Sequence, residues 1–325
     1  MLLFLRNCFR FFLIQLSLIF ICLPVNASPV NNLLDSGLQQ LYQENYQAAQ
    51  SIFDDILNSN PEEIKAQQYR CFAHLNLEKY DRAIADCSTA LQQNPKLTQA
   101  YLWRGLAYYR KANYQEAIKN YDQILAQTPE HPQALYNRGL AQSAIGQHSE
   151  ALADYNQALQ SPSLNQQEKA TIYNDRGIVY LDKQQYEMAK ADFTKALEID
   201  RNNSRTHYHL GCACHYLGEN QTAIFYFTKS LQHSPDNPSV YVSRGLAYHQ
   251  LNQTQIAIED LEIAANTISK KLTPLLSPQP PFGRGALVDA YGTAFSLRCV
   301  APVDRNGITS SIIKGNRKQP LKFVV

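Results

Sequence analysis

Residues Tyr101 to Pro129 read Tyr-Leu-Trp-Arg-Gly-Leu-Ala-Tyr-Tyr-Arg-Lys-Ala-Asn-Tyr-Gln-Glu-Ala-Ile-Lys-Asn-Tyr-Asp-Gln-Ile-Leu-Ala-Gln-Thr-Pro. Tyr101, Gly105 and Tyr108 fall at i, i+4 and i+7, one face of a helix. The pattern breaks between Lys111 and Gln115. A second helical pattern carries Ala117, Tyr121 and Ile124, and Pro129 stops it. Proline has no N–H to donate and its ring clashes with the preceding turn. The stretch therefore spells helix, tight turn, helix, stop.

The same phrase runs along most of the chain. A small residue recurs at Gly37, Cys71, Gly105, Gly139, Gly177, Gly211 and Gly245, spaced by 34 residues except for one gap of 38. Twelve residues after each comes an alanine: Ala49, Ala83, Ala117, Ala151, Ala189, Ala223 and Ala257. Pro61, Pro95, Pro129 and Pro235 share the closing column. A fixed period of this length marks stacked repeats. The small columns let two antiparallel helices approach closely. Sixteen residues after the small residue a bulky one returns, as Phe53, Tyr121, Tyr155, Phe193 and Phe227, with Cys87 and Leu261 as exceptions. These groups are expected to plug the gap between neighbouring hairpins. One hairpin buries too little apolar surface to stand alone, so stacking is required.

The run Tyr101–Leu102–Trp103–Arg104–Gly105–Leu106–Ala107–Tyr108, continued by Tyr114, Ala117, Tyr121 and Pro129, resembles the tetratricopeptide repeat. So does Tyr173–Asn174–Asp175–Arg176–Gly177 with Tyr180, Tyr186, Ala189, Phe193 and Ala196. The resemblance implies an all-α fold, a right-handed superhelical solenoid of antiparallel helix pairs. Seven units are expected over residues 30–267: 30–63, 64–97, 98–131, 132–165, 170–203, 204–237 and 238–267. Extra residues near Ser163 to Glu168 should lengthen a turn or add a helical turn.

The residue before the small one is Arg70, Arg104, Arg138, Arg176 or Arg244 in five units, and sixteen residues later sit Asp86, Asn120, Asp154, Asp192 and Asp260. The units with Ser36 and Leu210 instead have Ile52 and Tyr226. This covariation predicts a bridge between the two helices of one hairpin. Pairing each acid with the next unit's arginine fits worse, because Asp192 would face Leu210.

The net charge is only +2 and no basic stripe interleaves with aromatics, so nucleic acid is not an expected partner. Arg6 and Arg10 precede an apolar run over residues 11–23, followed by Pro24 and Val25–Asn26–Ala27. This reads as an export signal over residues 1–27. The alternative is an uncleaved membrane anchor: the apolar run over residues 11–23 is short for about 30 Å of hydrocarbon, but counting from Leu2 lengthens it to residues 2–23. The repeats are thus expected outside the cytoplasm, periplasmic, lumenal or secreted. Five cysteines follow Ala27: Cys71, Cys87, Cys212, Cys214 and Cys299. Cys71 and Cys87 face each other within one hairpin and could be bridged, but core columns favour free thiols packed as small hydrophobes. Cys212 and Cys214 diverge on one helix and cannot bond to each other. Residues 268–325 leave the repeat. Lys270 to Leu275 extend a closing helix, Ser277–Pro278–Gln279–Pro280–Pro281 breaks it, and a weakly ordered tail is expected beyond.

No Gly-rich phosphate loop and no Gly-x-Ser-x-Gly turn occurs, so no catalytic set and no cofactor are expected. His207, His209, Cys212, Cys214 and His215 crowd one helix, but only Cys212 and His215 could reach one ion together, and zinc takes three or four protein ligands. The resemblance implies instead that the first helices line a concave groove for a peptide or helix. In the first half of the chain that lining comprises Phe72, Leu102, Leu106, Tyr109, Tyr136 and Leu140. In the second half it comprises Asn174, Ile178, Tyr208, His215, Tyr216 and His249. The family's carboxylate clamp of lysines, arginines and asparagines is replaced here by Leu34, Leu38, Phe72, Tyr136 and Leu140. The expected activity is that of a non-enzymatic interaction scaffold of the cell envelope. A docking subunit of an envelope enzyme is the alternative, and a metal- or redox-responsive protein using Cys212 and His215 is a third.

Overall fold

The computed structural model describes residues 29–276, with side chains over 30–270. The expected signal or anchor and the tail beyond residue 276 lie outside the described residues. Every described regular element is an α-helix. In chain order these are α1 (Pro29–Tyr42), α2 (Tyr46–Ser59), α3 (Ile64–Asn76), α4 (Tyr80–Gln93), α5 (Thr98–Arg110), α6 (Tyr114–Gln127) and α7 (Pro132–Ala144). They continue with α8 (His148–Leu159), α9 (Gln166–Asp182), α10 (Tyr186–Ile199), α11 (Ser204–Tyr216), α12 (Asn220–His233), α13 (Pro238–Gln250) and α14 (Thr254–Leu276). The described residues divide into two compact units, one ending at Val179 and one beginning at Tyr180.

In the first unit α1 pairs with α2, α3 with α4, α5 with α6, and α7 with α8. The second helices α2, α4 and α6 also pack on the first helices of the next pairs, α3, α5 and α7. The first helices touch one another as well, α1 with α3, α3 with α5 and α5 with α7. Among the described residues no two second helices pack to a comparable extent. The first helices therefore form the inner layer of this unit, on its concave side. The second unit repeats the rule: α11 pairs with α12 and α13 with α14, α10 packs on α11 and α12 on α13, and α11 touches α13.

The glycine column shows what holds a pair closed. A Cβ at Gly37 would lie 2.5 Å from the Phe53 ring, at Gly105 2.6 Å from Tyr121, at Gly139 2.7 Å from Tyr155, and at Gly211 2.6 Å from Phe227. The bulky residues thus sit first on the glycine of their own pair, rather than merely between hairpins as expected. Two of them also reach the next pair: Phe53 stacks on Tyr69 at 6.1 Å, and Phe193 on His209 at 5.6 Å. Every residue of the alanine column is buried.

Cys71 and Cys87 occupy both halves of this contact, and they are joined by a disulfide with the Cα atoms 5.4 Å apart. This overturns the expectation of free thiols. The column that brings a glycine against a ring in other pairs brings two cysteines within bridging range here.

The arginine column does more than the covariation suggests. Arg70 donates through Nε and Nη2 to Asp86 at 3.0 and 2.6 Å, Arg138 to Asp154 at 2.8 and 2.7 Å, and Arg244 to Asp260 at 2.8 and 2.8 Å. Arg104 donates to Asn120 at 2.7 Å. Four of the five expected pairs lie within a single unit, and all four form. The remaining nitrogen, Nη1, crosses to the preceding hairpin. It reaches Asp54 from Arg70 at 2.7 Å, Ser88 from Arg104 at 3.0 Å, Asp122 from Arg138 at 2.6 Å and Thr228 from Arg244 at 3.0 Å. Each guanidinium fork closes its own pair and ties it to its neighbour.

The turns follow the same period. Glu44, Glu78, Ala112, Gly146, Gln184, Gly218 and Asn252 all have φ between 58° and 79°, one per pair between its two helices. The inserted residues lengthen α9 to 17 residues against 13 for α7, one extra turn. Its start is a capping box: Asn165 Oδ1 accepts from the Glu168 N–H at 2.9 Å, and Glu168 Oε2 accepts from the Asn165 N–H at 2.8 Å.

Candidate functional site

The inner layer of first helices is where the expected groove residues fall, and the structure sorts them by exposure. In the first unit Phe72 is buried, 4.8 Å from the Trp103 ring and edge-on to Tyr46 at 6.2 Å. Leu102, Leu106 and Ile178 are also buried. Tyr136 is 1% exposed, and its hydroxyl donates to Asp175 Oδ2 at 2.7 Å. Burial, then the Asp175 carboxylate, push its phenol well above the usual range. These five side chains build the stack from its inner side. Tyr109, Leu140 and Asn174 remain partly exposed. Tyr109 meets Tyr114 edge-on at 5.3 Å, which props its ring at the pair's turn end. Asn174 donates to Asp175 Oδ1 at 3.1 Å.

In the second unit Tyr208 is buried, 6.0 Å from Phe227 and 5.2 Å from His209. His215, Tyr216 and His249 are partly exposed. Nδ1 of His215 shares a hydrogen bond with Asn220 Oδ1 at 2.7 Å, which fixes the ring's orientation. Tyr216 stacks on Tyr186 at 4.7 Å with 14° between the planes. Burial, with Tyr186 and Tyr208 nearby, pushes its phenol up to about 12, so it stays a neutral donor at physiological pH.

The partly exposed set is therefore aromatic, amide and imidazole, held by neighbours within the same unit. It offers flat apolar area with a few oriented polar groups and no concentrated charge. That chemistry suits an apolar or aromatic side chain of a partner, placed by one or two hydrogen bonds. Nothing in the spacing foretold Asp175 as the partner of Tyr136.

The cysteine–histidine cluster does not assemble a metal site. Cys212 is disulfide-bonded, so it has no thiolate to share with His215, and the metal- or redox-responsive reading based on that couple falls. Cys214 is a buried thiol pushed up to about 12 by burial and then by Glu219, with Lys190 opposing. His207 bonds the Arg201 carbonyl through Nε2 at 2.9 Å and stacks on Tyr226 and His233. Burial first, and the positive neighbours, lower its pKa. Among the described residues no three His, Cys, Asp or Glu side chains are placed to hold one ion. Among them, too, no helix is long and apolar enough to cross a membrane.

Comparison with known proteins agrees with the repeat geometry. Residues 72–119 and 102–165 match a family model described as tetratricopeptide repeat, and models of the same description match residues 170–203 and 204–237. A tetratricopeptide repeat protein from Parabacteroides merdae is similar in structure, with a TM-score of 0.58 at 15% identity over 82% of this chain and 98% of that one. MamA from Desulfovibrio magneticus aligns with a TM-score of 0.49 at 18% identity, over 55% of this chain and 98% of its own. YrrB, described as a TPR protein with an unusual peptide-binding site, gives 0.49 at 17% identity over 63% and 97%. No curated protein matches the sequence.

Proposed function

Because this chain belongs to the tetratricopeptide repeat family, we propose that it is a non-enzymatic interaction scaffold of the cell envelope. It holds a peptide or helix of a protein partner along the first-helix face of its stacks, and aids assembly of an envelope complex. The observation that carries this reading is the sorting of the inner layer. Phe72, Leu102, Leu106 and Tyr136 are consumed by packing, whereas Tyr109, Leu140, Asn174, His215, Tyr216 and His249 keep exposed surface.

Export is supported by the Cys71–Cys87 bond, since disulfides persist in oxidising compartments and are rare in the cytosol. The positive start and apolar run before Ala27 point the same way.

The test is site-specific photocrosslinking in intact cells. Crosslinkers at Tyr109, Leu140 and Tyr216 are expected to trap the same discrete partner, whereas crosslinkers at the exposed second-helix positions Met188 and Phe225 trap none of it. Tyr109→Ala with Asn174→Ala, and Tyr216→Ala with His249→Ala, are expected to lower that adduct at least ten-fold while the helical circular dichroism signal is retained. Equal trapping from both faces, or undiminished trapping by the variants, refutes the groove assignment.

A further inference from the structure

Tyr121 and Tyr155 are the tyrosines of the column that presses a ring on a glycine, and both hydroxyls are buried with no hydrogen-bond partner. A buried polar group of this kind calls for one. Each ring rises from a second helix and crosses the glycine of its own first helix. Its Cζ, the carbon that carries the hydroxyl, is among the atoms a Cβ there would meet, at 2.9 Å for Gly105 and 3.2 Å for Gly139. The hydroxyl thus ends beyond its own pair, toward the next first helix. In other pairs the residue two before the next glycine lies against this ring, as Tyr69 on Phe53 and His209 on Phe193. After the two tyrosines that position carries Asn137 and Asp175 instead.

Asp175 is near enough to act on the Tyr155 hydroxyl. Burial first, then Asp175 and Tyr109, push that phenol well above the usual range. The Tyr155 ring lies 6.0 Å from that of Tyr136, whose hydroxyl donates to Asp175 Oδ2 at 2.7 Å. Asn174 donates to Oδ1 at 3.1 Å. The buried Asp86, Asp154 and Asp260 each meet an arginine. Asp175 lies in no ion pair among the described residues, and it keeps exposed surface.

We propose that the Asp175 carboxylate and the Tyr155 hydroxyl form a subsite for a lysine or arginine side chain of the bound segment, an assignment that rests on the groove reading above. What this place has to spare is lone pairs. Each carboxylate oxygen takes one hydrogen bond and can accept more, and the phenol oxygen accepts none. Ammonium and guanidinium groups donate through every N–H and accept nothing, so they match these acceptors and balance the charge. The neighbouring Tyr109, Tyr136 and Tyr155 rings favour a cation further. An acidic side chain would be repelled, and an apolar one would strip water from the carboxylate without replacing it. The subsite adds one charged, orienting contact to the apolar area of Tyr109 and Leu140. The fitting partner is a segment with a basic residue set among apolar ones.

The full chain, carrying isotope-labelled tyrosine, is titrated by NMR with Nα-acetyl-lysine amide and Nα-acetyl-arginine amide, and with the norleucine and glutamate amides as controls. Ring signals of Tyr109, Tyr136 and Tyr155 are assigned by phenylalanine substitution. A basic probe is expected to shift these signals saturably in the millimolar range, at least about ten-fold more tightly than either control. Asp175→Asn keeps an oxygen for the Tyr136 hydroxyl and is expected to weaken that probe at least about ten-fold, with circular dichroism unchanged. Tyr155→Phe keeps the ring over Gly139 and removes only the unpaired hydroxyl. Amide protection of α7 and α8 should therefore hold or rise, while the basic probe binds several-fold more weakly. Equal response to the lysine and norleucine probes, no saturable response to either basic probe, or undiminished binding by either variant overturns the proposal. The probes need no partner protein, so a failed crosslink in cells and a failed titration are separate results.

Discussion

Opening the Cys71–Cys87 bridge should loosen one hairpin while leaving the rest of the stack intact. The bond closes a loop of 16 residues. The chain-entropy expression gives about 10 cal/mol/K for such a loop, or about 3 kcal/mol at room temperature. Both cysteines are wholly buried in the column of closest approach between α3 and α4, so the loss falls on contacts that other pairs make with a glycine and a ring. Repeat arrays unfold by local steps set by neighbour contacts, so one global midpoint is the wrong measure. The assay is amide hydrogen exchange of α3 and α4 in the full chain. Cys71→Ala with Cys87→Ala is expected to lower their protection by about 3 kcal/mol, over a hundred-fold in exchange, with a smaller effect on α7 and α8. Cys71→Gly with Cys87→Tyr rewrites the column as Gly105 and Tyr121 have it. Burying the new ring should restore about 1.5–3 kcal/mol. Protection of α3 and α4 that falls by less than about 1 kcal/mol in the double alanine variant, against the roughly 3 kcal/mol expected, refutes the reasoning. So does a loss spread evenly over all pairs.

Gly105→Ala drives a methyl to 2.6 Å from the wholly buried Tyr121 ring; overpacking of about 1–3 kcal/mol outweighs the helix-propensity gain of at most about 1 kcal/mol, read as lost protection in α5 and α6. Ala112→Gly should stabilise by up to about 1 kcal/mol, because Ala112 is exposed at φ 58° and glycine relieves the left-handed penalty at a smaller entropic cost; lowered amide protection of α5 and α6 would count against this. Arg138→Met strands the buried Asp154 carboxylate and is expected to cost about 3–5 kcal/mol. Arg104→Met should cost less, since it leaves only Asn120 and Ser88 without a donor; equal losses sink the fork assignment. Burial pushes the Asp86 carboxyl up, but the hydrogen bonds from His74 and Arg70 outweigh it and hold its pKa below the usual carboxylate range. The folded value being the lower one, this stability is present above the unfolded pKa near about 3.9 and is lost as pH falls through the folded value. Asp86→Asn should flatten the acid limb of the unfolding curve.

The period alone located the helix pairs, because a 34-residue phrase with two small columns has few ways to pack. The Arg–Asp bridges were legible because an absence covaried with an absence: Ser36 with Ile52, and Leu210 with Tyr226. The second arm of each fork left a trace in Asp54, Ser88, Asp122 and Thr228, a polar column sixteen residues before each arginine. That trace is subtle because its members are chemically mixed, sharing only an oxygen acceptor. The disulfide was misread for a related reason. Each cysteine alone reads as a small apolar filler; only taken together, in the column of closest approach, do they read as a bond.

Groove membership was legible in direction and not in exposure. Phe72, Leu106, Leu140 and Ile178 share one position after the glycine, yet Leu140 alone of these keeps exposed surface. A column fixes which way a side chain points, but the next pair decides whether it is covered, as Trp103 covers Phe72. The position four residues after the small residue divides by residue type. Leu41, Leu75 and Leu181 are buried there, whereas Tyr109, Ser143, His215 and His249 keep exposed surface. None of them sits on a glycine, and none belongs to an arginine fork. A change at Tyr109, His215 or His249 therefore alters what the face offers a partner without touching the glycine–ring contacts that close a pair or the arginine forks that tie it to the next. Recognition can vary there while the alanine, glycine–ring and arginine columns stay fixed, which is how one stacking rule accommodates a partner that the rule itself does not specify.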